Sequence, residues 1–143
     1  MSGGQTNGTG NLSISRAATL TDAALSGAAS TVVLGATTIS GSGLALDGTR
    51  NFNNQGTVTQ TANIDLNARN LGAAQAGSGT IVNAAVGTWN ALINAGTGFI
   101  LASSQGAGDT GADATFTNLG TFNKHGAGTL DVRADTYTLP IEV

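Results

Sequence analysis

The carboxylates are the first place to look for chemistry. There are eight: Asp22, Asp47, Asp65, Asp109, Asp113, Asp131, Asp135 and Glu142. Cleaving a glycosidic bond needs two of them facing each other across it. Asp47 and Asp65 are the pair that adjacent coils of a repetitive fold could bring together, but nothing in their spacing compels it. Turn and surface positions are the ordinary place for isolated aspartates. The stretch Gly106-Ala107-Gly108-Asp109-Thr110-Gly111-Ala112-Asp113 echoes a calcium-binding nonapeptide. Calcium collects its oxygen ligands from several carboxylates and carbonyls. One imperfect copy supplies too few, so this stretch reads as a glycine loop. His125 is the only histidine, beside Lys124, and a zinc site needs further ligands that are not clustered with it. Without cysteine, only Ser or Thr could serve as an activated nucleophile, and no Gly-x-Ser-x-Gly elbow is present. Gly41-Ser42-Gly43 and Gly77-Ser78-Gly79 read as loops. These residues predict no catalytic centre, no metal and no cofactor.

Two other residue classes could bind rather than react. Phe52, Trp89, Phe99, Phe116, Phe122 and Tyr137 could form platforms for sugars. Most flank the repeat units described below, where a core is expected, and aromatics carry large buried areas. Tyr137 is the best candidate for an exposed ring. Thr57, Thr59 and Thr61 alternate and therefore share one strand face. A regular threonine array on a flat face could bind ice, but in the sequence this one occurs once.

The composition narrows what can position such groups. Only 9% of the 143 residues are charged, against about 25% in an average domain. Disorder generally goes with high net charge and few β-branched residues. Here the net charge is −3 and Val, Ile and Thr are frequent, which favours a folded, β-rich chain. The pI near 4.6 and the scattered Lys and Arg argue against nucleic acid as a partner. No apolar run approaches the length of a transmembrane helix.

Helix signals are poor, because glycine interrupts nearly every window. The Ala-rich stretch Ala17–Ala29 is the best helical candidate. Strand signals are short and many: Leu12-Ser13-Ile14, Leu44-Ala45-Leu46, Ile64-Asp65-Leu66 and Leu130-Asp131-Val132 alternate between turn residues. A Gly-Thr pair recurs at Gly48, Gly56, Gly79, Gly87, Gly96, Gly120 and Gly128, and several neighbours lie eight or nine residues apart. A longer unit overlies it. Phe52-Asn53-Asn54-Gln55-Gly56-Thr57-Val58 matches Phe116-Thr117-Asn118-Leu119-Gly120-Thr121-Phe122 in type. Ile81-Val82-Asn83-Ala84-Ala85-Val86-Gly87-Thr88-Trp89 is the same unit with two residues added. Each unit would send an apolar side chain inward while glycine turns the chain, so that coils stack and like residues form columns. Asn54, Asn83 and Asn118 would then form a side-chain ladder or act as ordinary turn asparagines. An eight-residue spacing also suits antiparallel hairpins, but Asn-Gly and Asp-Gly turns are rare here.

The stretch Phe122-Asn123-Lys124-His125-Gly126-Ala127-Gly128-Thr129-Leu130-Asp131-Val132, followed by Thr136 and Tyr137, resembles the passenger-associated repeat of bacterial autotransporters. Lys124, Gly126, Gly128, Thr129, Leu130, Val132, Thr136 and Tyr137 fit that repeat. The Phe-x-Asn-x-Gly-Thr units resemble coils of filamentous-haemagglutinin-like exoproteins. Together these likenesses run from Leu44 to Thr138. After Tyr137 the chain departs from the pattern and reads Thr138-Leu139-Pro140-Ile141-Glu142-Val143. The resemblance implies a right-handed parallel β-helix outside a Gram-negative cell, with roles in adhesion, aggregation or display.

The expectation is therefore an all-β, right-handed parallel β-helix (solenoid), one segment over 1–143 excised from a larger exported protein. Residues 1–10 would be a flexible start and 138–143 an end cap or terminus. Its role would be structural or adhesive at the bacterial surface or in secretion. A polysaccharide-binding or -cleaving β-helix is the alternative, and an ice-binding solenoid a lesser one. Partners would be host or bacterial surface receptors, glycans among them, or further copies of the segment, with no nucleic acid and no membrane insertion. The residues expected to build the repeat are Phe52, Asn54, Gly56, Val58, Ile81, Asn83, Gly87, Trp89, Phe116, Asn118, Gly120, Phe122, Gly126, Gly128, Leu130 and Tyr137.

Overall fold

A computed structural model describes residues 2–68, 77–105, 109–134 and 141–142. Among them there is no helix, and every pair of named strands runs parallel. One isolated bridge, Asp47 with Ser78, is antiparallel. Parallel pairing excludes the hairpin alternative, because a two-residue turn joins only antiparallel strands.

Two sheets share the work. The six-stranded sheet takes one short strand from each coil: β2 (Leu12–Ile14), β4 (Ser30–Val33), β6 (Asn51–Asn54), β9 (Thr80–Asn83), β12 (Thr115–Asn118) and β15 (Ile141–Glu142). The nine-stranded sheet is crossed in two halves. The first half contains the opening part of β3 (Ala18–Ser26) and β5 (Ala36–Asp47), then β7 (Thr57–Gln60), β10 (Thr88–Leu92) and β13 (Thr121–His125). The second half contains β1 (Gln5–Asn7), the rest of β3 and β5, then β8 (Ile64–Asp65), β11 (Thr97–Ala102) and β14 (Thr129–Ala134). Each coil therefore has three sides, and successive coils stack side upon side in the manner of a β-solenoid.

This geometry explains both sequence periods. Gly79, Gly87 and Gly96 stand just before β9, β10 and β11, one at each corner of a single coil, while Gly120 and Gly128 precede β13 and β14. The eight-to-nine-residue step is one side of a coil, and the longer unit, which spans one corner, recurs once per coil. The register aligns the repeats as columns: Leu12, Thr31, Phe52, Ile81 and Phe116 in one sheet, and Ala18, Thr37, Val58, Trp89 and Phe122 in the other. The two added residues of the Ile81–Trp89 unit are absorbed at the corner, where Val86 is thrown into solvent.

The columns meet inside. Phe52, Val58, Ile81, Trp89 and Phe116 are buried in one apolar cluster, and Phe122 and Leu130 pack partly buried against it. The rings interlock edge to face: Phe52 with Trp89 at 6.1 Å, Trp89 with Phe116 at 5.4 Å and Phe116 with Phe122 at 5.6 Å between centroids. Each such pair adds about 0.5–1.5 kcal/mol beyond area burial. Trp89 Nε1 donates to Oε1 of the fully buried Gln60 at 3.1 Å. Gln60 Nε2 in turn donates to the Ala62 carbonyl at 3.0 Å, so both ends of this buried amide are satisfied.

Asn54, Asn83 and Asn118 occupy one register column below Val33. Asn54 Nδ2 donates to Asn83 Oδ1 at 2.7 Å, and Asn83 Nδ2 to Asn118 Oδ1 at 2.7 Å. The spare amide hydrogens go to the Thr88 and Thr121 carbonyls at 3.0 Å each. The ladder thus ties the six-stranded sheet to the first strand residues of the next side.

Several expectations need correction or placing. The Ala17–Ala29 stretch is not helical: Leu20, Ala23 and Leu25 point into the core from strand β3, and pairing on both edges outweighs alanine's helix preference. Glycine's role at Gly56, Gly87 and Gly120 is not to turn the chain, since none has positive φ. A Cβ at Gly56 would meet the Gly35 carbonyl, at Gly87 the Asn54 carbonyl, and at Gly120 the Ala84 and Gly87 carbonyls. These glycines let coils approach. Gly126, by contrast, does have φ 81° and turns the chain between β13 and β14, while a Cβ at Gly128 would meet Ile93 and the Gly96 carbonyl. Near the start of the chain, Gln5–Asn7 form β1, which pairs with Ala24–Ser26 of β3. Ile141 and Glu142 pair with Phe116 and Thr117 at the edge of the six-stranded sheet. Tyr137, Thr136 and Pro140 lie outside the described residues.

Candidate functional site

The large sheet bends where its two halves meet, and the bend is built differently in each coil. In β3 it is one bulged residue, Asp22, with φ 51° between Thr21 and Ala23. In β5 it is Gly41-Ser42-Gly43, with φ 73° and 130° at the glycines. The next coil uses Thr61-Ala62-Asn63, and the one after it spends more residues before reaching Phe99. A Cβ at Gly43 would overlap the Asn63 carbonyl, so a close approach fixes that glycine.

Along this bend runs an outer groove of about 370 Å³. Its lining includes Asp22, Ser42, Asn63 and Phe99 from four successive coils, together with Ala24, Ala45, Asp65 and Leu101 from the outward column just beyond the bend. Small side chains at Ala24 and Ala45 leave the hollow, while Phe99 and Leu101, both half-buried, bound one end of it. The Arg133 guanidinium lies over the Phe99 ring at 5.1 Å and pairs with Asp131 at 3.3 Å.

The polar groups of the groove are partly committed. Asp22 Oδ1 accepts from the Ser42 hydroxyl and backbone N–H at 2.5 and 2.6 Å. These two bonds hold the Asp22 carboxyl below its ordinary pKa. Asp65 accepts from Ser103 Oγ at 2.6 Å, from Ser103 N–H at 3.2 Å and from Asn67 N–H at 3.0 Å. Asn63 Oδ1 accepts from Phe99 N–H at 3.1 Å, which leaves its amide hydrogens for a ligand. A general acid for glycoside cleavage needs a raised pKa, and Asp22 has the opposite shift.

The suggested pair Asp47 and Asp65 does not assemble. Asp47 is buried at the end of β5, while Asp65 faces outward on β8. In the glycine loop, Gly106, Ala107 and Gly108 lie outside the described residues, and Asp113 is occupied by Ser78 N–H and Oγ at 3.0 and 2.7 Å. Among the described residues no three His, Cys, Asp or Glu side chains converge. His125 is exposed at the end of β13, where Lys124 Nζ bonds its carbonyl. The Thr57–Thr61 array goes further than the sequence suggested: Thr59 aligns with Thr38 and Thr19, and Thr21 and Ser40 hydroxyls bond at 2.9 Å. It then gives way to Asn90 and Asn123, which bond each other at 3.0 Å.

Phe99 is the site residue that sequence reasoning misplaced. Phe99-Ile100-Leu101 is apolar throughout, so its inward and outward positions cannot be told apart by alternation. Pairing of Ile100 with Ile64 and Val132 turns Ile100 inward and Phe99 and Leu101 outward. Nothing in the sequence signalled the Asp22 bulge.

Fold and groove define a class, an all-β parallel solenoid with a polar-rimmed groove along one bend. No protein-family profile, curated protein or solved structure matches this chain.

Proposed function

We propose that this chain is a non-catalytic segment of a right-handed parallel β-helix, secreted or displayed at a bacterial surface, that acts as a stiff stalk and adhesive module. The observation that carries the reading is the unbroken stack, in which two parallel sheets, an aromatic column and an amide ladder run through successive coils. Such a stack is a rod, and its low charge favours contact with other surfaces and with further copies of itself. Right-handed winding is the hand that the resemblance implies and the one that strand twist favours in parallel crossover connections. The likeness of Lys124–Tyr137 to the autotransporter passenger repeat supports surface display. The partner would be a host or bacterial surface receptor.

The groove gives some support to the rival reading of a polysaccharide-cleaving β-helix. Against it stand the lowered pKa of Asp22 and the three donors on Asp65. The ice-binding reading is weaker, because the threonine column spans three coils before asparagine replaces it. Beads coated with the protein should adhere to cells or to one another more than bare beads, with no reducing sugar released from a polysaccharide panel. Absence of any adhesion, or sugar release, would remove this reading.

A further inference from the structure

We propose that the groove along the bend binds a short, uncharged glycan. This rests on the adhesive reading and names the ligand for it. A pyranose presents alternating C–H faces and hydroxyl groups, so it needs apolar surface beside both hydrogen-bond donors and acceptors. The groove offers all three across four successive coils. Ala24, Ala45, Leu101 and the Phe99 ring form the apolar surface. Asp22 keeps its second carboxylate oxygen as an acceptor, because both bonds from Ser42 go to Oδ1. Asn63 keeps both amide hydrogens as donors, because Phe99 N–H occupies only Oδ1. Asp22, Ser42 and Asn63 are all exposed, so these free positions face solvent rather than protein.

The internal bonds serve recognition as well as structure. They fix the Asp22 carboxylate and the Asn63 amide before a ligand arrives, which lowers the ordering cost of binding. Four coils at a parallel-strand spacing of about 4.8 Å give the line from Asp22 to Phe99 a length of roughly 14 Å, which suits a short oligosaccharide rather than a single sugar. Among the described residues that line the groove, Asp22 and Asp65 are carboxylates and none is a cation, while the Arg133 guanidinium over Phe99 is paired with Asp131. Sialylated or uronic-acid glycans would be repelled, so the ligand is neutral.

The test uses nitrogen-15-labelled protein titrated with cellotriose, maltotriose, xylotriose and chitotriose, with sialyllactose as the anionic comparison. At least one neutral trisaccharide at millimolar concentration should shift amide resonances of Ser42, Asn63 and Phe99, and sialyllactose should not. Ala45→Gln fills the hollow from an outward, half-exposed position, and Asn63→Asp keeps the acceptor for Phe99 N–H but removes the donors. Each should weaken binding at least about tenfold, the effect of losing roughly 1.4 kcal/mol, with an unchanged melting temperature. If no neutral trisaccharide moves the groove resonances, or if Ala45→Gln binds as well as the parent, the proposal fails. Bead adhesion separates the two readings. Beads that adhere equally with and without Ala45→Gln overturn the groove as the adhesive site and keep adhesion. Glycan binding on beads that do not adhere keeps the groove and overturns adhesion.

Discussion

Asn83 is the residue whose removal most directly tests the internal ladder. It accepts from Asn54 Nδ2 at 2.7 Å and donates to Asn118 Oδ1 at 2.7 Å and to the Thr121 carbonyl at 3.0 Å. Its own side chain is completely buried, and Asn83→Ala removes all three bonds. Asn54 Nδ2 retains the Thr88 carbonyl, but Asn118 Oδ1 loses its donor and so does the Thr121 carbonyl. At about 1 kcal/mol net per bond, with more for each buried group left unpaired, the loss is about 3–5 kcal/mol. For a chain of this size, 1 kcal/mol moves the melting temperature by about 2–4 °C, which predicts a drop of roughly 10 °C. Asn118→Ala is the internal control. Asn118 is only half-buried and sits at the ladder's end, so its loss should cost about 1 kcal/mol. Thermal melts followed by circular dichroism, with the buried tryptophan as a second probe, measure both. The ladder reasoning is refuted if Asn83→Ala melts within about 2 °C of the parent, or if Asn118→Ala costs as much.

Gly120→Ala places a methyl against the Ala84 and Gly87 carbonyls, and overpacking of this kind costs about 1–3 kcal/mol or more; an unchanged denaturation midpoint would show that the coils can spread. Trp89→Phe removes the donor to Gln60 Oε1 and should cost about 2 kcal/mol, whereas adding Gln60→Leu to it should recover part of the loss, which a double-mutant cycle would read out. Arg50 is almost wholly buried, with Nη1 on the Gly10 carbonyl at 3.2 Å and Nε without a partner. Arg50→Met should therefore leave stability unchanged or raise it by about 1 kcal/mol or more, and a clear drop in melting temperature would contradict this. Burial raises the Asp113 pKa, but the bonds from Ser78 outweigh it and the net shift is below 3.8. Its contribution is then complete above pH 3.8 and lost as pH falls through the lower folded value. Acid melts of Asp113→Asn should converge with the parent at the bottom of that range and diverge above it.

Much of the coil was legible because its repeats carry side chains with fixed duties. Phe52, Ile81 and Phe116 recur at the same step from Asn54, Asn83 and Asn118, so one inward ring and one ladder amide could be read together. The corner glycines were legible as positions but not in mechanism, since close approach of a neighbouring coil is a tertiary fact that no single repeat displays. Composition misled at Ala17–Ala29, where alanine suits a helix in isolation and a crowded strand in a stack. The groove was hidden for a similar reason. It depends on a bulge at Asp22, a glycine pair around Ser42 and the parity of an all-apolar run at Phe99, and each is settled only when the coils are laid on one another.

The aromatic column and the amide ladder do not extend evenly along the stack. They begin at Phe52 and Asn54, whereas the earlier coils fill the same columns with Ala18, Thr31, Val33 and Thr37, and the Thr31 and Thr37 hydroxyls are buried without partners. The rod is therefore polarised, with a firm seed at one end and a thinner seam at the other. Thermal fraying would start among the alanines and threonines and halt at Phe52, while a folding chain could zip outward from the ringed coils, each finished layer serving as the template for the one laid against it.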